Sequence, residues 1–147
     1  MAKMIFVNLP VADVARATAF YEAIGCEKNA QFSNEQAAMM VWSDTISFML
    51  LSHPFYSTFT PKQIADAHKT SAALFALSFD SRAEVDAITE AAIAAGAREV
   101  HPPEDLGFMY SRAFEDFEGH GFGPMWMDMN AANAAADAGE LHQPIAN

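Results

Sequence analysis

A weak internal repeat constrains the fold of this chain more than any other feature of its sequence. Each copy begins with a short apolar strand, passes through a capping Asp or Ser into an amphipathic helix, and ends at a glycine. Asp13 and Ser81 are the predicted caps, and Gly25 and Gly96 are the predicted ends. The copies lie about 70 positions apart, which is too long for a solenoid repeat and suits a duplicated half-domain.

Each predicted helix is followed by three short segments with strand character. Turn-forming residues separate these segments, and β-branched, aromatic and other apolar side chains are frequent within them. Each half therefore reads strand, helix, strand, strand, strand, which is an α+β pattern. The segments are 27–33, 37–42 and 46–52 in the first half, and 98–101, 109–115 and 122–128 in the second.

The length of 147 residues is most simply explained by one domain, at residues 1–129. Within it we expect modules at about 4–52 and 72–128, joined by a connector at 53–71. A capping-box pattern at Thr60, with Pro61 at the first helical position, predicts a short connector helix up to about His68. The tail at 130–147 is rich in Ala and Asn, which predicts a frayed helix or disorder.

Charge and composition exclude several classes of function. The net charge of −11 should repel nucleic acid, and the eight basic residues form no run. No apolar stretch is long enough to cross a membrane, and no secretion signal precedes the first strand. The single cysteine, Cys26, excludes an internal disulfide. We therefore expect a cytoplasmic protein that binds neither nucleic acid nor membranes.

The order of these elements, together with several short motifs, resembles the vicinal oxygen chelate superfamily. This superfamily includes glyoxalase I, extradiol dioxygenases and bleomycin-resistance proteins. The resemblance implies that two βαβββ modules form a curved, eight-stranded mixed sheet around a cup, and that the protein is a homodimer. The motifs are Val11-Ala12-Asp13, Phe20-Tyr21, Gly25 and Asp116-Phe117-Glu118-Gly119-His120. Five further segments resemble, more narrowly, a bacterial branch of the superfamily that is labelled predicted lactoylglutathione lyase. These segments are Phe6-Val7-Asn8-Leu9-Pro10-Val11, Val41-Trp42-Ser43-Asp44, Met49-Leu50-Leu51, Gly107-Phe108-Met109-Tyr110 and Trp126-Met127-Asp128.

The same resemblance identifies where a metal would be held. Metal-dependent members place a His on the first strand, a Glu or another ligand on the fourth, a His on the fifth and a Glu on the eighth. The matching positions in this chain are Phe6, Met49, Leu74 and Gly123. None of these side chains is a ligand for a hard divalent cation. We therefore expect a cup that has lost its metal, and no cofactor.

An apolar cup floor with a few polar groups is typical of a small-molecule site. Asn8, Tyr110 and Arg112 are the polar candidates. If Tyr110 and Arg112 share the inward strand face, they can orient a ligand; the alternative is an outward face on which Arg112 pairs with an acid. The apolar candidates are Phe6, Met49, Leu74 and Met125.

Three classes of function remain open at this point. The favoured one is a metal-free protein that binds a small, partly apolar molecule, as bleomycin-resistance members do. The second is a glyoxalase-type lyase, which the resemblance implies and the missing ligands oppose. The third is a metal-free enzyme, or an interaction protein whose own side chains fill the cup. No catalytic residue is identified, so whether the chain is an enzyme stays undecided.

Overall fold

A computed structural model describes residues 2–139 of the chain. They form two compact units that divide between Ala72 and Ala73. The first unit holds a four-stranded sheet in the order β1-β4-β3-β2, in which β1 and β4 are parallel and the other neighbours are antiparallel. Its elements are β1 (Ile5–Val11), α1 (Val14–Ala23), β2 (Glu27–Asn29), a 3₁₀ turn at Ala30–Phe32, β3 (Ala37–Ser43), β4 (Ile46–Ser52) and α2 (His53–Tyr56).

Helix α1 begins and ends where the sequence predicts. The Asp13 carboxylate accepts a hydrogen bond from the Arg16 backbone N–H at 3.0 Å, which satisfies one of the free donors of the first turn. Gly25 follows the helix with a φ of 111°, a conformation that favours glycine. The buried side of α1, which includes Phe20 and Tyr21, covers one face of the sheet.

The second unit is built around the long strand β10. Strand β5 pairs with one edge of β10 in parallel, whereas β8 and β9 pair with it antiparallel, and β7 and β6 extend the sheet beyond them. Its elements are β5 (Leu74–Phe79), α3 (Arg82–Ala94), β6 (Arg98–Glu99), β7 (Glu104–Asp105), β8 (Met109–Ser111), β9 (Phe114–Glu115), β10 (Gly121–Met127) and α4 (Met129–Asp137).

Helix α3 shows the predicted cap with one change of partner. The Ser81 hydroxyl accepts from the Glu84 backbone N–H at 3.2 Å, whereas the Glu84 carboxylate accepts from the N–H of Asp80 rather than that of Ser81. Gly96 follows the helix with a φ of 110°. The side of α3 that includes Val85 and Ile88 is buried and covers one face of the second sheet.

The α+β class and the two helix-and-sheet modules are confirmed, but the strand count differs from eight. The predicted strand at 109–115 is two short strands, β8 and β9, because Arg112 and Ala113 interrupt it. Strand β7 occupies Glu104–Asp105, and so includes the first residue of a turn that the sequence predicts at 105–107. The described residues therefore contain ten strands in two sheets.

The predicted connector helix at 60–68 is wrong. The Thr60 hydroxyl accepts only a local hydrogen bond from the Lys62 N–H, and no helix follows. The connector's helix is α2, where Ser52 caps the turn and Pro54 occupies an early helical position. In the tail, α4 accounts for residues 129–137 of the predicted helix, and residues 140–147 lie outside the described part. No helix within residues 2–139 is long and apolar enough to cross a membrane.

The environment of Cys26 gives a prediction about thiol reactivity. Cys26 is only 6% exposed, and its burial raises the pKa of the thiol from 9.0 to about 12. At pH 8 the thiolate population is therefore about a thousandfold below that of an unperturbed thiol. We expect the native protein to react with DTNB at least a hundredfold more slowly than the urea-unfolded chain. Equal rates would contradict the buried position.

The same pKa shift fixes the sign of a pH dependence. The folded state disfavours the thiolate, so the stabilising effect of this group is complete below pH 9 and is lost as the pH rises from 9 towards 12. Replacing the thiol (Cys26→Ala) should remove this contribution to alkaline destabilisation. Urea unfolding curves at pH 8 and pH 10.5, compared between the variant and the unchanged protein, measure the difference.

Candidate functional site

The first sheet has one face covered by α1 and one face turned away from it, which we call the first non-helical face. Side chains alternate between the two faces along a strand. In β1, Leu9 and Val11 are buried on the side of α1, whereas Phe6 and Asn8 lie on the first non-helical face. Phe6 is 48% exposed and Asn8 is also exposed, so this part of the face is accessible to a ligand.

Strand register brings the predicted residues of the first module together. Asn8 is the direct partner of Met49 in the parallel pair of β1 and β4, and Phe6 is the partner of Ser47. Met49 in turn pairs with Met39 on β3. Phe6, Asn8 and Met49 therefore share the first non-helical face, with thioethers beside a carboxamide.

The second sheet has a corresponding face turned away from α3, the second non-helical face. Leu74 on β5 pairs with Gly121 on β10, and Met125 lies on the same face two and four residues beyond Gly123 and Gly121. Leu74 is 77% exposed, and a Cβ placed on Gly121 would lie 2.8 Å from the Leu74 Cδ2. The Leu74 side chain therefore covers the strand at Gly121.

Tyr110 lies on the opposite side of the second sheet. It pairs with Trp126, and its hydroxyl donates a hydrogen bond of 2.7 Å to the Asp86 carboxylate on α3. This hydrogen bond, followed by desolvation and the charge of Asp86, raises the pKa of Tyr110 above its usual value. The guanidinium of Arg82 stacks over the Trp126 ring at 4.8 Å. Tyr110 is thus part of the packing between the sheet and α3.

Arg112 is buried on the same helical side and is surrounded by carboxylates. Only 8% of its side chain is exposed, and its guanidinium lies 2.7 Å from Glu99, 2.8 Å from Glu90 and 3.2 Å from Asp86. Burial alone would lower the pKa of Arg112, but the hydrogen bonds to Glu99, Glu90 and Asp86 outweigh it and raise that pKa. We call Arg112 and these three acids the arginine cluster.

The structure therefore does not bring all the predicted site residues together. Leu74, Gly123 and Met125 lie on the second non-helical face, whereas Tyr110 and Arg112 are directed to α3. Of the two alternatives for Arg112, its surroundings match the one in which it pairs with acids. The physical reason is that a buried guanidinium needs anionic partners, and α3 and β6 supply them.

The four positions that the resemblance identifies with metal ligands do not fit a hard divalent cation. Phe6, Met49 and Leu74 offer no hard oxygen or nitrogen donor, and Gly123 has no side chain. A Cβ on Gly123 would meet nothing closer than the Arg112 carbonyl oxygen at 3.9 Å, so the glycine is not required by crowding. No group of three or more His, Cys, Asp or Glu residues that could hold a metal occurs within residues 2–139.

Sequence reasoning missed that the strand methionines concentrate on the non-helical faces. Met39, Met109 and Met127 join the predicted Met49 and Met125 there, and only Met40 faces a helix. The signal available in the sequence was the two-residue spacing of Met125 and Met127, because residues two apart on a strand share a face.

One open depression of the surface is lined by residues of α1, β2 and β3. It has an open volume of about 470 Å³ between α1 and β2, and it is lined by residues such as Thr18, Glu22 and Lys28. It includes none of the predicted site residues.

Comparisons with known proteins agree with this architecture. Residues 3–43 match a family described as bleomycin resistance protein-like N-terminal. Among solved structures, a hypothetical protein SA1046 from S. aureus is 20% identical with a TM-score of 0.73, over 86% of this chain and 95% of that one. A glyoxalase/bleomycin resistance protein/dioxygenase family enzyme from Burkholderia phytofirmans PsJN is 22% identical with a TM-score of 0.70, over 86% and 99%.

A third similar structure carries the name of a resistance protein. The genomically encoded fosfomycin resistance protein FosX from Listeria monocytogenes is 21% identical with a TM-score of 0.61, over 86% of this chain and 91% of that one. No curated protein matches the sequence. At these identities the structural likeness establishes the fold, and the chemistry depends on the residues of this chain.

Proposed function

We propose that this chain, which has the fold of the vicinal oxygen chelate superfamily, binds small, partly apolar molecules on the non-helical face of each sheet without a hard divalent metal. One observation carries the proposal. The positions at which metal-dependent members hold their ion are occupied by Phe6, Met49, Leu74 and Gly123, and two of these side chains are large, apolar and exposed. Such a surface favours contact with an apolar group over coordination of an ion.

The exposure of Phe6 and Leu74 sets the energy available to a ligand. Full burial of a Phe or Leu side chain contributes about 1.5–3 kcal/mol relative to full exposure. On the second unit Leu74 is 77% exposed, so a ligand that covers it recovers most of that amount. On the first unit Phe6 is 48% exposed, so a ligand that covers it recovers about half. Asn8 lies beside Met49 and supplies both a donor and an acceptor to orient a polar part of the ligand.

Met39 and Met49 suit this role because thioether side chains adapt to ligand shape. Methionine has three rotatable bonds and a polarisable sulfur, and it forms favourable contacts with aromatic rings. The two lie side by side on the first non-helical face, next to Asn8. A flat apolar or aromatic molecule therefore fits this face better than a compact anion does. The net charge of −11 also disfavours anions.

A homodimer and a cytoplasmic location belong to the same proposal. β1 is an edge strand of the first sheet, and it begins with Ile5 and Phe6, both of which are exposed. Exposed edges with apolar side chains are surfaces that proteins usually cover. Light scattering coupled to gel filtration tests the dimer, and a monomer at 10–100 µM on that readout would count against it.

The binding prediction is tested with Nile red, a neutral and apolar fluorophore. We expect saturable binding in which Phe6→Ser weakens the site on the first unit and Leu74→Ser weakens the site on the second, each by about tenfold, because each substitution removes roughly 1.4 kcal/mol of apolar contact. Phe32→Ser and Phe59→Ser are matched controls, since both side chains are exposed but lie outside the non-helical faces. Equal losses in the controls and the test variants would overturn the proposal.

A second experiment separates binding from lyase activity. The purified protein is analysed for bound metal and then assayed with methylglyoxal and glutathione in the presence of Ni²⁺ or Zn²⁺. We expect neither stoichiometric hard metal nor turnover above that of a heat-denatured sample. Robust metal-dependent turnover would replace the proposed function with a glyoxalase-type lyase.

A further inference from the structure

Three thioether side chains meet at one end of the second non-helical face. Met109 lies on β8, and Met125 and Met127 lie on β10. Met109 and Met127 are direct cross-strand partners, and Met125 is two residues from Met127 on the same face. Of these three methionines, only Met125 belongs to the predicted ligand surface.

The hydrogen bonds between the strands show that Met109 and Met127 form a close pair. The Asp128 N–H donates to the Phe108 carbonyl at 2.8 Å, and the Arg112 N–H donates to the Pro124 carbonyl at 3.0 Å. Hydrogen-bonded and non-hydrogen-bonded pairs alternate along an antiparallel ladder, so Met109 and Met127 form a non-hydrogen-bonded pair. In such pairs the Cα atoms are about 4.5 Å apart and the side chains approach most closely.

Met125 reaches the same space across a small residue. Its direct partner on β8 is Ser111, so Met125 is the diagonal neighbour of Met109 at about 7–8 Å, within reach of long side chains. The short Ser111 side chain leaves room above the sheet between the sulfurs. All three methionines are half-buried, so their stems are partly shielded while the group stays accessible from solvent.

We propose that Met109, Met125 and Met127 bind one Cu⁺ ion through their three thioether sulfurs. Soft sulfur ligands select Cu⁺ over the hard divalent cations that carboxylate and imidazole sites hold. This site goes beyond the proposed function, because it holds a soft metal ion and does not require an organic molecule on the rest of the face. The chain binds the ion as Cu⁺, so no electron transfer is involved.

The surroundings favour a cation. Thioethers are neutral, so the complex keeps a full positive charge that nearby anions stabilise. Glu104 on β7 is such an anion, because it pairs with Ser111 and lies on the second non-helical face. The chain as a whole carries a net charge of −11. The first sheet pairs only two strand methionines, Met39 and Met49, on its non-helical face, one ligand fewer than this group.

The test uses Ag⁺ as a redox-stable probe, followed by Cu⁺ held reduced with ascorbate. The full chain carries Cys26→Ala, because a thiol competes strongly for both ions. Methionine ε-methyl resonances are observed by NMR in protein labelled with ¹³C at those methyls, and affinity is measured by competition with bicinchoninate. Each of Met109→Leu, Met125→Leu and Met127→Leu is compared with Met4→Leu, an exposed methionine outside the group.

We expect one equivalent of ion, selective shifts of the three methyl resonances, and a loss of affinity of at least about tenfold in each test variant. The size follows because loss of even an outer-shell partner weakens metal affinity about 10–100-fold. Leucine conserves volume, so the variants should stay folded. Binding that persists when all three are leucine, or shifts confined to Met39 and Met49, would overturn the proposal. The proposal would also be overturned if none of the three methyl resonances shifted in the protein that keeps all three methionines.

Discussion

Replacing Phe114 with alanine is expected to lower the free energy of unfolding of the second unit by about 3–5 kcal/mol. Phe114 is fully buried on β9. Its ring stacks on Phe122 with centroids 5.4 Å apart, and Phe122 in turn contacts Phe75. Three rings from three strands thus pack together, and truncation of Phe114 leaves a cavity beside the other two. Rigid strands collapse poorly around such a gap.

Trp126 provides a local probe of this effect, because it lies in the second unit and Trp42 lies in the first. Urea unfolding is followed by tryptophan fluorescence in a Trp42→Phe background, with and without Phe114→Ala. Phe59→Ala serves as the control, since Phe59 is exposed, and it should change stability by less than about 0.5 kcal/mol. A loss below about 1 kcal/mol for Phe114→Ala would contradict its place at the centre of this core.

Replacing Arg112 with methionine is expected to destabilise the second unit by about 3 kcal/mol, at the lower end of the cost of breaking a buried ion pair. Methionine keeps much of the volume of the side chain but removes the cation that contacts Asp86, Glu90 and Glu99. The lower end applies because Asp86 and Glu90 are themselves substantially exposed and regain part of their hydration.

Arg98→Met is the matched control for the arginine cluster. Arg98 also binds a carboxylate at 2.6 Å, that of Glu115, but its side chain is 67% exposed, so its loss should cost less than about 1 kcal/mol. Both variants are compared by urea unfolding at pH 7. If the two substitutions have equal effects, burial is not what makes the arginine cluster important. Loss of Nile red binding in a folded Arg112→Met protein would instead indicate that Arg112 contributes to the ligand site.

Local interactions explain which parts of the fold were predictable. The starts of α1 and α3 depend on hydrogen bonds between residues three or four apart, so Asp13 and Ser81 are sufficient to identify them. The helices end at glycines with positive φ, which the sequence also identifies. The failed connector helix shows the boundary of such reasoning. Thr60 and Pro61 satisfy the pattern of a helix start, yet Ile64 is the one large apolar side chain in the seven residues that follow, too few to hold a short helix by packing.

Pairing between distant strands explains what was not predictable. The break between β8 and β9 coincides with Arg112, and the bonds of that residue run to α3 and β6, 13 to 26 positions away in sequence. Strand β7 exists because Glu104 and Asp105 pair with β8, although Asp105 suits a turn. These choices depend on register, which no short window of sequence contains.

The sequence by itself determined the two helix-and-sheet modules, the ends of α1 and α3, and the residue types at Phe6, Met49, Leu74 and Gly123, because each follows from residue type and near spacing. It also raised the case in which Tyr110 and Arg112 share one face, since they are two residues apart. Only the tertiary structure decided which face that is. The acids of α3 and β6 bind the arginine on the helical side, and this packing leaves Leu74, Met125 and the other methionines of the second sheet on the non-helical face.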